Sequence, residues 1–420
     1  MNLYIFNETA RRGAVFGVGT YMRELTAALK DSYINVCVVN LMSDKPQILI
    51  EEIDGIKYWY LPAPVPEQQP IDYQKQRELY FRNVVYLLQL HIVDKKDLVF
   101  HLNYMECKTL ADALRVTFNC KILLTVHCLN AVMALFGNIS RLRRIILQTN
   151  EPTEKVEISA KDYFQKDKEL FHAVDKIICL SDHTFDMLHQ DYQIDKGKMI
   201  VIYNGLTDSA QASDKQVLRQ KYHIPDIPII LFAGRLDEIK GLTYLLRAFK
   251  MVLNKYPHCH ILIAGNGDFS MHMKECEDIW THVTWTGLID KAKLYDLYSI
   301  ADFGVMPSFH EQCSYVAIEM MMHGLPIIGS TSTGLKEMIV DGETGLHIPV
   351  IEHPDSVEID SSLMAEKMLY LLQRPDERKR MDANARRQYE TIYSAKIFRK
   401  NMLDFYYSPY TNLCHVKNNN

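Results

Sequence analysis

Two carboxylates eight positions apart carry the most chemistry in this chain. Glu311 and Glu319 lie in residues 307–346, PSFHEQCSYVAIEMMMHGLPIIGSTSTGLKEMIVDGETGL. Glu311 follows an apolar strand end, Phe303-Gly304-Val305-Met306, in a polar loop, and Glu319 falls on the short helix after it. Ser314 is placed to cap that helix, Tyr315 opens it and Gly324 stops it. At about 1.5 Å per residue, eight helical residues span roughly 12 Å, the reach from a sugar hydroxyl past two phosphates to a ribose. Between the two acids lie the free N–H groups of a helix N-terminus, which hold a phosphate without a metal. Two acceptors flanking an anion hole make a cradle for a nucleotide-linked sugar. The plainer alternative is a pair of solvated acids.

A pair of cations complements them. An apolar strand over residues 228–233 runs into Gly234-Arg235-Leu236-Asp237-Glu238-Ile239-Lys240-Gly241 and then a helix over 242–253. Arg235 leaves the strand tip and Lys240 enters the helix start, so both can converge on one anion. Two cations can neutralise a diphosphate leaving group; the alternative is two solvent-exposed charges. The strand at 261–264 ends in a turn with Gly265 and Gly267, which face the crevice near the base. Thr331-Ser332-Thr333-Gly334 offers hydroxyls and N–H groups to phosphate oxygens. In the first half, His127 ends the apolar run Ile122-Leu123-Leu124-Thr125-Val126, where ligands meet a parallel sheet. A histidine bonded locally in a loop is the other reading. Gly17-Val18-Gly19, in a loop with Gly13 between the first strand and a helix, brings backbone close to a ligand or merely reverses the chain. Asn204-Gly205 is a turn pair.

The E-x7-E unit, after a Pro-Ser strand end and before Gly-Leu-Pro-Ile-Ile-Gly, resembles the retaining GT4-type glycosyltransferases (glycosyl transferases group 1). That resemblance implies an α/β GT-B fold, two Rossmann-like doubly wound parallel-sheet domains with a cleft between them. It covers nearly the whole chain, strongly over 230–346 and weakly before 200. It implies sugar transfer from a nucleoside-diphosphate sugar, UDP-sugar before GDP-sugar, to a hydroxyl of a glycan, lipid-linked or protein acceptor. The anomeric configuration is retained, and neither metal nor further cofactor takes part. Glu311 would hold sugar hydroxyls, Glu319 the ribose, and His127 would orient the sugar. Arg235 and Lys240 would absorb the leaving charge, and Gly17, Gly19, Asn204, Gly234, Gly265, Gly267, Leu288, Ser314 and Tyr315 would line the donor. The chain departs from the family in having Gln312-Cys313-Ser314-Tyr315 where a Gly-Phe/Cys-Gly-like run is common, and Cys128 where an Asp often follows the histidine. A sugar-nucleotide epimerase of the same shape and a catalytically silent scaffold are the rival readings.

These residues need two sheets to carry them. At 420 residues the chain suits two domains of about 200: 1–207 on the acceptor side and 208–394 on the nucleotide-sugar side. A helix at about 395–412 is expected to pack back on the first, ahead of a disordered 413–420. Short apolar runs alternate with amphipathic helices throughout, which points to parallel sheets covered by helices. Apolar residues make up 48% and charged ones 24%, with a net charge of −5, so nothing suggests a nucleic-acid partner. Nine cysteines without a C-x-x-C pair, no leader and no apolar run of membrane-spanning length point to a cytoplasmic protein. The stretch 138–169 reads as helical, with Arg141, Arg143 and Arg144 beside Leu142 and Ile145. Such a face is an ordinary surface or a peripheral membrane contact. Four prolines over 62–70 mark a loop. No D-x-D, P-loop or G-x-S-x-G occurs, and His258-Cys259-His260 lacks partners at metal-ligand spacing.

Overall fold

The computed structural model describes residues 1–8, 17–64, 73–210 and 214–408. Gly13, Pro66, Pro70 and the 413–420 tail lie outside these residues, as does the end of the expected last helix.

The first sheet contains β1 (Asn2–Glu8), β2 (Asn35–Ser43), β3 (Leu49–Ile53), β4 (Ile56–Pro62), β5 (Leu98–Leu102), β6 (Cys120–Val126), β7 (Lys176–Cys179) and β8 (Met199–Val201), in the order β3-β4-β2-β1-β5-β6-β7-β8. All neighbours are parallel except β3 and β4. The inner strands β5 and β6 are largely buried on both faces, so they read as apolar runs rather than alternations. The hairpin β3–β4 does not show that signature: β3 is LIEEI, an exposed edge strand, and it was not expected. Gly17 and Gly19 also differ from expectation. They form the first turn of the helix Gly17–Leu29 rather than a loop, and a Cβ on Gly17 would meet nothing within 4 Å.

The second sheet contains β9 (Ile229–Ala233), β10 (His260–Ala264), β11 (Val283–Gly287), β12 (Phe303–Met306), β13 (Ile327–Ser330) and β14 (Gly345–Ile348). Its order, β11-β10-β9-β12-β13-β14, is parallel throughout and winds outward in both directions from β9 and β12. Its core is built from strand residues such as Ile230, Phe232, Ile261 and Val305, with Leu245, Leu246 and Phe249 of the helix Leu242–Leu253 against them.

Two compact units result. One takes in Met1–Ala131, Asn150–Tyr203 and the chain from Phe398; the other Val132–Thr149 and Asn204–Ile397. In the first, the final helix Ala395–Tyr407 is pinned from Phe398 on: Arg399 donates to the carbonyls of Ala28 and Lys30, and the Tyr406 hydroxyl lies 2.6 Å from His101 Nδ1.

The basic stretch divides between the units, which chain order alone does not suggest: the helix Ile139–Leu147 groups with the second unit, and the helix Lys155–Ala173, beyond Pro152, with the first. Asn138 caps the former helix and donates to the carbonyls of His353 (2.8 Å) and Ser356 (3.0 Å). These belong to a hairpin of β15 (Val350–Glu352) and β16 (Val357–Ile359). Glu352 accepts from the helix's first N–H groups, Ile139 at 3.2 Å and Ser140 at 2.9 Å, where an anion is favoured. Arg141 donates to the Asp355 carbonyl at 2.8 Å and Arg144 pairs with its carboxylate at 3.0 Å. The arginines thus hold a hairpin of the protein's own. Among the described residues no helix is long and apolar enough to cross a membrane.

Candidate donor site in the second unit

In a doubly wound sheet, ligands bind beyond the carboxyl ends of the two strands where the winding reverses. Here those strands are β9 and β12. The loop after β9 carries Arg235 and Lys240; the loop after β12 carries Glu311. They are stitched together by backbone, with Phe309 N–H donating to the Ile239 carbonyl at 2.8 Å. Gly241 makes the stitch possible. It adopts φ +68°, and a Cβ there would fall 2.0 Å from the Pro307 carbonyl oxygen. Gly241→Ala is expected to cost about 2–4 kcal/mol, combining left-handed strain with a backbone collision; a urea unfolding loss below about 1 kcal/mol would contradict this packing.

The stitch brings Lys240 Nζ to 2.5 Å from Glu311 Oε1, with only 18% and 11% of the two side chains exposed. Arg235 sits further out, paired at 2.9 Å with Asp237 and about two-fifths exposed. Glu311 is fixed from behind. Its N–H donates to Thr333 Oγ1 at 2.9 Å, its carbonyl accepts from the Thr333 hydroxyl, and Gly334 N–H donates to that carbonyl at 2.8 Å. Ser330 Oγ donates to Ser332 Oγ, and Thr331 Oγ1 accepts from Val350 N–H. Thr333 is thus engaged both as donor and as acceptor and positions Glu311, whereas Thr331 only accepts among the described residues.

Asn204 plays a similar part: its buried amide donates to the Cys313 carbonyl at 2.7 Å. Ser314 stands at the cap position of Tyr315–Met322 with extended backbone, yet its side chain accepts no cap hydrogen bond. Gly265 and Gly267 are explained by close backbone approach. A Cβ on Gly265 would lie 1.7 Å from the Gly234 carbonyl oxygen, and one on Gly267 would lie 2.7 Å from Leu236 Cβ. Leu288, just past β11, is 63% exposed.

Glu319 is 1% exposed. One carboxylate oxygen is paired with Lys291, and the other accepts from the Tyr298 hydroxyl at 2.9 Å. Burial first, and then the adjacent carboxylate, push the Tyr298 hydroxyl well above its usual range, so it stays a donor. Lys291 and Tyr298 were not expected. Their only signal is a spacing of seven on the helix Lys291–Ile300, two turns on one face, which reads equally as ordinary amphipathy.

His127 belongs to the first unit. Nε2 is 3.2 Å from Asn103 Oδ1, and the Tyr21 ring meets the imidazole edge to face at 4.6 Å. Burial takes it down to about 3, as it does His101. Both rings are therefore neutral near pH 7, and His127 can orient a group but carries no charge. Since both bind protons more weakly folded than unfolded, stability should fall as pH drops below about 6.5. Urea midpoints at pH 7 and pH 5 check this, with a smaller drop expected for His127→Gln.

Residues 214–388 match the family model described as Glycosyl transferases group 1, and residues 15–209 that of Glycosyltransferase Family 4. Alpha-D-kanosaminyltransferase of Streptomyces kanamyceticus is 26% identical over 224 residues, which are 51% of this chain and 56% of that protein. The chain thus spans about half the length of that curated relative, and a similar share of others. Among solved structures, sucrose-phosphate synthase from Thermosynechococcus elongatus superposes with a TM-score of 0.77 at 21% identity, covering 97% of this chain and 98% of that one. Anabaena HepE, solved with UDP and glucose, gives 0.70 at 14% identity, covering 96% and 99%. At these identities the likeness establishes the fold, which is GT-B.

Proposed function

Because the chain belongs to the glycosyltransferases of group 1 and family 4, matched in stretches that together span most of its length, we propose that it transfers a sugar from a nucleoside-diphosphate donor to an acceptor hydroxyl with retention of configuration and without a metal. The observation that carries this is the meeting of Lys240 with Glu311 at the β9–β12 reversal. In the free protein the carboxylate holds the ammonium in place. With donor bound, Lys240 and Arg235 turn to the diphosphate and Glu311 is released to accept from sugar hydroxyls. The cations stabilise charge that grows as the bond to the leaving phosphate breaks, an environment organised before the reaction begins. The sugar passes through an oxocarbenium-like state, and the incoming hydroxyl gives its proton to the departing phosphate oxygen on the same face. Glu319 holds the ribose hydroxyls, steadied by Lys291 and Tyr298. His127 serves as a neutral orienting group. The donor is a UDP-sugar before a GDP-sugar, a reading supported by the UDP bound to HepE, and the acceptor a glycan, a lipid-linked group or a protein.

A panel of UDP- and GDP-sugars tested by thermal shift should yield at least one that raises the melting temperature, since a ligand bound only to the folded state stabilises it. Transfer to an acceptor, with the anomer assigned by NMR, should then proceed unchanged in a chelator. Inverted product or loss of turnover on chelation would overturn the retaining or the metal-free reading respectively. Isomerised sugar from donor alone would favour the epimerase.

A further inference from the structure

A second charged recess lies at the other edge of the second sheet, where β12 and β13 begin. It is a cavity of about 260 Å³, lined by Lys215, Asp302, His323, Arg378, Lys379 and Asp382, with Tyr298 in its wall. Asp302 is its organising carboxylate. Lys215 Nζ is 3.0 Å from one oxygen and Arg219 is 3.3 Å from the other, while Arg378 stands off at 3.9 Å. Of these three cations Arg219 has a closer carboxylate in Asp226 at 2.7 Å, and Arg378 also donates to the Leu372 carbonyl at 3.2 Å. That leaves Lys215 and Arg378 on Asp302 within the cavity; Lys379, exposed at its rim, has no ion-pair partner among the described residues.

Asp382 does little to balance them. Burial pushes its carboxyl up to about 7, against the pull of Lys215, Arg378 and Lys379 and with the Asp302 charge adding to the push. Burial also pulls Lys215 below the usual lysine range. Cations held in a partly desolvated recess with too few carboxylates gain from an incoming anion. The volume suits a small one. The wall leads to the donor site: the Tyr298 hydroxyl donates to Glu319, and His323 Nδ1 donates to the Glu319 carbonyl at 2.8 Å.

We propose that this cavity binds a small tetrahedral oxyanion of the phosphate class through Lys215, Arg378 and Lys379, and that its occupancy is felt at Glu319 through Tyr298. The binding stands by itself; the link to Glu319 rests on the donor-site reading above. A bound anion favours protonated Asp382, so affinity should fall as pH rises through about 7. The groups facing that carboxyl are Lys215, Asp302, Arg378 and Lys379.

Sulfate is the probe, because its charge is constant across this range. Calorimetric titration of the whole chain at pH 6 should give an isotherm that weakens about tenfold or more in Lys379→Glu. It should persist in Arg235→Ala/Lys240→Ala, which removes the donor-site cations. Asp382→Asn should bind equally at pH 6 and pH 8. Undiminished binding in Lys379→Glu, loss only in the double variant, or an unchanged pH dependence in Asp382→Asn would overturn the site. Saturating sulfate should further shift the affinity for UDP in the wild type and leave it unshifted in Lys379→Glu. A shift of equal size in both is direct competition at the donor site and defeats the link. A chain that binds sulfate as described but no nucleotide refutes the donor reading alone.

Discussion

Lys240→Ala should lower the turnover for sugar transfer by about 10²–10³-fold, the usual effect of removing one preorganised donor from a developing anion. Lys240 is the better placed of the two cations. Its side chain is 18% exposed and already held against Glu311, whereas Arg235 is 41% exposed and tied to Asp237. A charge kept from water acts through a lower effective dielectric, so Arg235→Ala should cost clearly less. Lys240→Arg should recover part of the loss, because it restores charge without the compact ammonium. The substitution also strands Glu311, so a drop in stability of about 1–3 kcal/mol is expected from the unpaired carboxylate. Lys240→Ala/Glu311→Ala should be more stable than Lys240→Ala alone while remaining inactive. Initial rates at saturating donor, with urea unfolding of each variant, provide the test. Turnover within about threefold of wild type would remove Lys240 from the proposed mechanism.

Glu319→Ala should have the second largest effect, and of a different kind. A group that holds ribose equally before and during reaction contributes uniform binding, so KM for the donor should rise about 10–100-fold with kcat changing less. The sequence alone suggests that the fold would survive this change untouched. The structure predicts otherwise: Glu319 is buried, and its loss leaves the Tyr298 hydroxyl without its acceptor and Lys291 without its carboxylate. Such a deletion costs about 2–4 kcal/mol. Glu319→Gln separates the two effects because it keeps the shape. Tyr298→Phe should lose stability with a smaller change in KM. If Glu319→Gln binds donor as well as wild type while Glu319→Ala merely unfolds sooner, Glu319 is a structural acid and the ribose assignment fails.

What could be read from the chain was whatever chemistry is local. Ile122 to Val126, or Ile229 to Ala233, are unbroken apolar runs because strands of a covered parallel sheet are buried on both faces. The helix stop at Gly324 follows from a local backbone need, a left-handed residue at φ +66°. The spacing of Glu311 and Glu319, and of Arg235 and Lys240, was likewise set out in order along single loops and helices. The tertiary structure decided the pairings across long separations. Thr333 acts on Glu311; Gly265 is required by Gly234; Lys291 and Tyr298 reach Glu319 from another helix. Arg141 and Arg144 find a hairpin more than 200 residues away. A hydrogen bond is decided by distances of a few tenths of an ångström, and only the closed fold brings distant donors and acceptors that near. Sequence order fixes which groups are available, but their partners are chosen by packing.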